Sequence, residues 1–250
     1  MNTSQNPWLS ARDLLPTTGL RLFCLPHAGS GAAGFFRWKR LLPAGIEVCP
    51  VLLPGREMRL AEASCESAES LVAELVRWMT PLLKEPYALF GHSMGALLAY
   101  EWARQARAAG LPAPRVLFVS GRGAPHRPFP HRRLHQLEDD AFVEALRLRY
   151  GGIPDGLLSE PDLREVFLPI LRADLTVVET YDPGEFAQLD CPILAVAGSE
   201  DANVSDADLA AWGELTDARA GSMRLPGDHF YHLGSGQQAL LASMVEWLIG

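Results

Sequence analysis

Cysteine is scarce in this chain: four in 250 residues, with no pair at the C-x-x-C spacing. Cys24, Cys49, Cys65 and Cys191 are scattered, and three of them fall in apolar, strand-like stretches. That is the pattern of buried free thiols, not of a disulfide framework, and a reducing cytoplasm suits it. No paired Cys/His spacing of the kind zinc requires occurs, so no metal site is expected. No apolar run reaches the length of a bilayer span, so no membrane partner is expected. Met1 to Pro7 carries neither a basic nor an apolar stretch, so no signal peptide is expected. An excess of positive charge is missing too. The formal net charge is −8; a surface of that sign repels a phosphate backbone, which argues against nucleic acid as a partner. Internal repeats and low-complexity tracts are absent. What is present is 48% apolar and 21% charged residues, the balance of a soluble globular protein. The length fits one domain, 1–250, with a substantial core.

Apolar runs alternate with helical patterns along the chain. Asn2 to Pro16 reads as a polar arm with Trp8 as its anchor. Strands are expected at Leu20 to Leu25, Ile46 to Leu53, Ala88 to Phe90, Arg115 to Ser120, Pro192 to Ala197 and Ser222 to Leu225. Helices are expected around Phe35 to Leu42, Cys65 to Leu83, Met94 to Ala109, Ala207 to Leu215 and Gln237 to Ile249. This is the signature of an α/β fold: a mainly parallel sheet with helices on both faces. One interval breaks the rhythm. About seventy residues separate Ser120 from Pro192, far beyond a usual connection. Within it, Asp139 to Tyr150 has a helical pattern. A second begins at Ser159-Glu-Pro-Asp162, which resembles a capping box, and runs to about Tyr181. The interval 122–190 therefore reads as an inserted helical lid over the carboxyl edge of the sheet.

The stretch around which the rest is organised is Tyr87 to Ala99. An apolar strand runs into Gly91-His92-Ser93-Met94-Gly95, a G-x-S-x-G turn, and then into a helix. In such a turn the serine is held on a strained strand-to-helix bend that lifts its hydroxyl above the sheet edge. The helix N-terminus there offers free N–H groups to a developing oxyanion. An activated serine needs a base, and the base an orienting acid, in the chain order serine, acid, histidine. Gly198-Ser-Glu-Asp201 follows one expected strand and supplies the acid, with Asp201 preferred and Glu200 as the alternative. Leu225-Pro-Gly-Asp-His229 follows the next and supplies His229. His92 lies within the turn and is expected to point elsewhere; His232 is expected in a helix or its cap.

Three further stretches stand out. Gly29-Ser-Gly31-Ala-Ala-Gly34 is a literal G-x-G-x-x-G between a strand and a helix. However, Pro26-His27-Ala28 intervenes, and Leu52-Leu53-Pro54 stands where a ribose-binding acid belongs, so a dinucleotide is not expected. The loop is read instead as an oxyanion loop: one N–H comes from Met94, after the nucleophile, and the other from Ala28. Pro54-Gly-Arg-Glu-Met-Arg59 places Arg56 and Arg59 beside the expected site, either to hold an anionic substrate group or as a solvated turn. The run Arg122 to His135 holds Arg122, Arg127, Arg132, Arg133, His126, His131 and His135 without an acid, and is read as a dock for an acidic partner or as an exposed loop.

With these motifs in place, the chain resembles the type II thioesterases of non-ribosomal peptide and polyketide synthesis, from about Leu20 to the C-terminus. The resemblance rests on Leu25-Pro-His-Ala-Gly29, Leu53-Pro-Gly-Arg-Glu57, Gly91-His-Ser-Met-Gly95, Ser120-Gly-Arg122 with Ala124-Pro125, Ala197-Gly-Ser-Glu-Asp201 and Gly227-Asp-His-Phe230. It implies an α/β-hydrolase fold with a helical lid, a Ser93, Asp201, His229 triad and Ala28 and Met94 as oxyanion donors. It also implies hydrolysis of stalled or misprimed acyl groups from the phosphopantetheine arms of acyl or peptidyl carrier domains, with no cofactor of its own and a monomeric chain. Gly29-Ser30-Gly31 departs from the paired glycines that often follow the alanine in that family. Rival readings are a small-molecule esterase or lipase-like serine hydrolase, and a hydrolase-fold binder without catalysis.

Overall fold

The structure, a computed structural model, describes residues 6–10, 19–128, 133–151, 160–184 and 188–249. Six apolar stretches become strands: β1 (Leu20–Leu25), β2 (Ile46–Pro50), β3 (Tyr87–His92), β4 (Leu117–Ser120), β5 (Ile193–Gly198) and β6 (Ala220–Leu225). They form one sheet in the order β2-β1-β3-β4-β5-β6, each described pair running parallel. Parallel neighbours cannot be joined by hairpins, so each crossover carries helical structure over one face.

Burial on both faces follows from the side-chain alternation of strands. Phe23, Leu25, Leu89, Val119 and Ala195 face α2 (Ala68–Met79) and α3 (Met94–Ala108). Leu22, Cys24, Phe90, Phe118 and Val196 face α1 (Trp38–Leu41) and α7 (Gln237–Ile249). Trp8 is fully buried as the anchor of its segment, as expected, and its carbonyl accepts the Leu52 N–H at 2.9 Å. β2 ends at Pro50 instead of reaching Leu53: the Val51 N–H makes a last bond to the Cys24 carbonyl at 2.9 Å, and the chain then leaves β1. The four thiols are free; Cys24, Cys49 and Cys191 are buried.

Local chemistry moves several boundaries inward. The Ser67 hydroxyl caps α2 by accepting the Ser70 N–H at 3.2 Å, so the helix begins at Ala68 rather than Cys65. The expected helix from Phe35 divides into a 3₁₀ turn, Ala32–Phe35, and α1. The expected helix from Ala207 divides into α6 (Asp206–Ala210) and a 3₁₀ turn, Ala211–Leu215.

The long interval after β4 contains α4 (Asp139–Tyr150) and α5 (Pro161–Thr180). Pro161 opens α5 at a position where no N–H is needed. Ser159, the first residue of the expected capping box, lies outside the described residues. Phe142, Leu146, Leu168, Leu171 and Leu175 of the two helices make a small core of their own, with Ala28 packed against it. That contact sets the helix pair beside the loop after β1. Among the described residues, no helix is long and apolar enough to cross a membrane.

Candidate active site

The strand order places β1 between β2 and β3, so the loops after β1 and β3 diverge and leave a crevice at the carboxyl edge. Ser93 stands at that edge with φ 55° and ψ −110°, a left-handed conformation unusual for a residue with a side chain. The bend is held by the Ser93 N–H, which donates to the Ser120 carbonyl at 2.7 Å. It also requires bare backbone on either side. A Cβ at Gly91 would run into the Gly95 carbonyl, and one at Gly95 into the Leu25 carbonyl. Met94 is the first residue of α3, so its N–H is among those a helix leaves without an internal acceptor.

Two more loops complete the edge. His229, after β6, is buried, and its Nδ1 lies 2.7 Å from Asp201 Oδ2, after β5. Asp201 Oδ1 accepts the Asn203 N–H at 3.0 Å and its Nδ2–H at 3.2 Å. Burial pulls the Asp201 carboxyl upward in pKa, but the hydrogen bonds and charge of His229, together with Asn203, outweigh it. The net shift is downward, so the group is an anion. Glu200 is exposed, its N–H donates to the Gly227 carbonyl at 2.9 Å, and the bond to the imidazole comes from Asp201. Of the two acids considered, Asp201 is therefore the one that meets the histidine.

Ser93 and His229 share the walls of two cavities. One, of about 260 Å³, is roofed by Leu146, Phe167, Leu171 and Leu175 of α4 and α5 and includes Ala28. The other, of about 90 Å³, is more polar and is bounded by Arg122, Asn203, Tyr181 and Asp208. The serine thus stands at the junction of an apolar chamber and a polar one.

The family description "Thioesterase domain" matches residues 20–248. The chain belongs to the thioesterase family. It is 38% identical to the gramicidin S biosynthesis protein GrsT of Aneurinibacillus migulanus over 226 residues, 90% of this chain and 88% of that one. Among solved structures, RedJ, a thioesterase of the prodiginine pathway in Streptomyces coelicolor, superposes with a TM-score of 0.85 at 39% identity, covering 92% and 90% of the two chains. YbtT, a type II thioesterase from the yersiniabactin NRPS/PKS pathway, does so with a TM-score of 0.82 at 30% identity, covering 93% of each. The resemblance to type II thioesterases carried by the motifs therefore holds, as does the α/β-hydrolase fold. The protein is a hydrolase of thioesters.

Other expectations are corrected in this thioesterase. Arg56 is neither a substrate anchor nor a solvated residue. It is buried and makes a two-pronged ion pair with Asp174 of α5, at 2.6 and 2.7 Å. Arg59 is buried against the Trp8 ring at 4.4 Å and is bonded to Glu62 and the Leu52 carbonyl. Three members of the basic run have partners within the chain, while Arg133 is exposed. His126 and Arg127 both pair with Glu214, and His135 pairs with Glu179 of α5. Arg122 is half-buried in the wall of the polar chamber, and burial pushes its pKa down to about 10. His131 and Arg132 lie outside the described residues. The glycine-rich loop has no opening for a pyrophosphate, because the Glu57 carboxylate already accepts the Ala32 and Ala33 N–H groups at 2.9 and 3.0 Å.

Sequence reasoning missed much of the thioesterase's second layer. Asn203 follows Asp201 by two positions, and proximity alone was its signal. Tyr150, whose ring lies 5.1 Å from that of His229, arrives from the distant end of α4. His92 and His232 stack at 3.8 Å beneath the site, and His92 reaches Ser120 and, through it, Tyr231. His92 thus points away from the cavity, as expected. His232 lies in a short 3₁₀ turn, Tyr231–Leu233.

Proposed function

We propose that this thioesterase is an editing enzyme. It hydrolyses aberrant or stalled acyl and aminoacyl groups from the phosphopantetheine arms of carrier domains in a non-ribosomal peptide or polyketide synthase. The hydrogen bond between His229 and Asp201, made at the wall that also holds the strained Ser93, carries this reading.

His229 Nε2 takes the Ser93 proton as Oγ bonds to the thioester carbonyl carbon. Asp201 fixes the imidazole tautomer through Nδ1 and stabilises the imidazolium. The N–H groups of Ala28 and Met94 hold the oxyanion. The tetrahedral adduct collapses, the C–S bond breaks, and the pantetheine sulfur leaves with the proton from His229. Water, deprotonated by His229, then attacks the acyl carbon; the bond to Ser93 Oγ breaks, Oγ takes the proton back from His229, and the acid is released. A thiolate leaves far more readily than an amine, so the protonation of the leaving group by His229 matters less here than in peptide cleavage. No metal or cofactor enters the scheme. The segment 122–190 acts as a lid within the single domain, and its apolar roof receives the acyl chain. A monomer in the cytoplasm, loaded by a docked carrier, fits these steps.

The test compares rates on an acyl-loaded carrier protein and on a matching small ester, with Ser93→Ala as the control. A strong carrier preference and an inactive, folded Ser93→Ala are expected. A strong preference for the small ester overturns the carrier assignment, and retained turnover by Ser93→Ala overturns the serine mechanism.

A further inference from the structure

The direction of the Ala28 N–H depends on the backbone around it, and a short loop of small residues does not set that direction alone. Here the neighbouring peptide is tied down by a side chain from far along the chain. The Gly29 N–H donates to Asp174 Oδ2 at 2.7 Å. Asp174 is itself held by both prongs of Arg56, whose Nη1 also donates to the Ser30 carbonyl at 3.1 Å. The Ser30 N–H closes back on the His27 carbonyl at 3.1 Å. Ala28 is thus bracketed by fixed peptides. Gly29 has φ +75°, and a Cβ there would strike Leu171, so α5 can seat only against a bare backbone at this position.

The ion pair is almost completely buried, with side chains 8% and 3% exposed. A buried pair of this kind is a poor source of net stability, since well-packed apolar residues do as well or better. What an apolar contact cannot supply is direction. Asp174 lies one turn from Leu171 and beside Leu175, both of which roof the apolar chamber. The same helix therefore covers the acyl chain and grips the loop.

We infer that the Arg56–Asp174 pair is a latch that aims the Ala28 N–H at the reacting carbonyl when α5 is seated. Both are positioning residues, and the inference rests on the reading of Ala28 as an oxyanion donor. A misaimed donor loses stabilisation of the tetrahedral state and leaves ground-state binding untouched.

The test measures kcat and KM on an acyl N-acetylcysteamine thioester for Asp174→Asn and Arg56→Lys. It adds the affinities of two analogues: a trifluoromethyl ketone, to which Ser93 adds, and a thioether lacking the carbonyl. Asp174→Asn is expected to lose about 10- to 100-fold in kcat, with KM changed less than threefold. The ketone should weaken by a similar factor and the thioether should not. Arg56→Lys, which keeps the charge and loses the fork, should show the same split at about 3- to 10-fold. It decides the matter by itself if Asp174→Asn does not fold. Folded variants with wild-type kcat, or with losses shared equally by both analogues, overturn the latch. Retained turnover by Ser93→Ala instead removes the serine mechanism itself, whatever Asp174 does; an inactive Ser93→Ala beside a fully active Asp174→Asn removes only the latch.

Discussion

The carboxamide of Asn203 lies 2.9 Å from the carbonyl oxygen of Arg149, near the end of α4, and the same Nδ2 reaches Asp201 Oδ1 at 3.2 Å. One side chain therefore joins the acid that orients His229 to the helix that roofs the chamber. Without the Asn203 side chain, Asp201 keeps its bonds to His229 and to the Asn203 backbone N–H but loses the Nδ2–H bond to Oδ1, so its carboxylate is held less firmly.

Asn203→Ala is accordingly expected to lower kcat about tenfold, because small misplacements of a reacting group are costly. Its fold should remain intact. The same variant loses a contribution that holds the Asp201 pKa down. The acidic limb of the kcat/KM–pH profile should therefore move to higher pH. A wild-type rate and an unmoved limb would show that Asn203 serves only to tether α4.

The unequal legibility of this site has a physical basis. Ser93, Asp201 and His229 each follow a strand at the same edge of a parallel sheet, and apolar runs mark where strands end. Their convergence is thus written in local pattern. Arg56 shows the opposite case. Its partner is 118 positions away on α5, and an arginine in a loop reads from sequence as a surface cation. Nothing local announces that a carboxylate will be buried opposite it. The stacking of His92 on His232 was illegible for the same reason, since it depends on how tightly the loop after β6 folds under the sheet edge. A boundary slipped where a single group intervened, as the Ser67 hydroxyl did at α2.

Arg59 supplies a contrast with Arg56. Its guanidinium packs on Trp8 and bonds to the Leu52 carbonyl, away from the residues that line either chamber. Arg59→Ala should cost about 1–3 kcal/mol of unfolding free energy through the lost stacking and hydrogen bond. The folded protein should retain kcat and KM on thioester substrates. Urea unfolding and steady-state kinetics on the same preparation check this. A large KM increase without destabilisation would restore Arg59 as a substrate anchor.

Acid should weaken the fold from beneath the site. His92 and His232 are buried and stacked, facing His27, His229, Ser120 and Tyr231. Burial above all, reinforced by the neighbouring imidazoles, holds both well below the ordinary histidine value. In the unfolded chain each takes up a proton near pH 6.5. The folded state binds fewer protons below that pH, so these two groups contribute their full stability above it. The contribution is lost progressively as the pH falls toward the depressed folded values. The slope is about 1.4 kcal/mol per pH unit for each imidazole while it stays neutral in the fold. Urea unfolding at pH 7.5 and pH 5.5 should show the decline, and His232→Phe, which keeps a ring against His92 but cannot titrate, should flatten it. Equal stability at the two pH values in the wild-type protein, or an unchanged slope in the variant, would mean that this pair is hydrated and protonates freely.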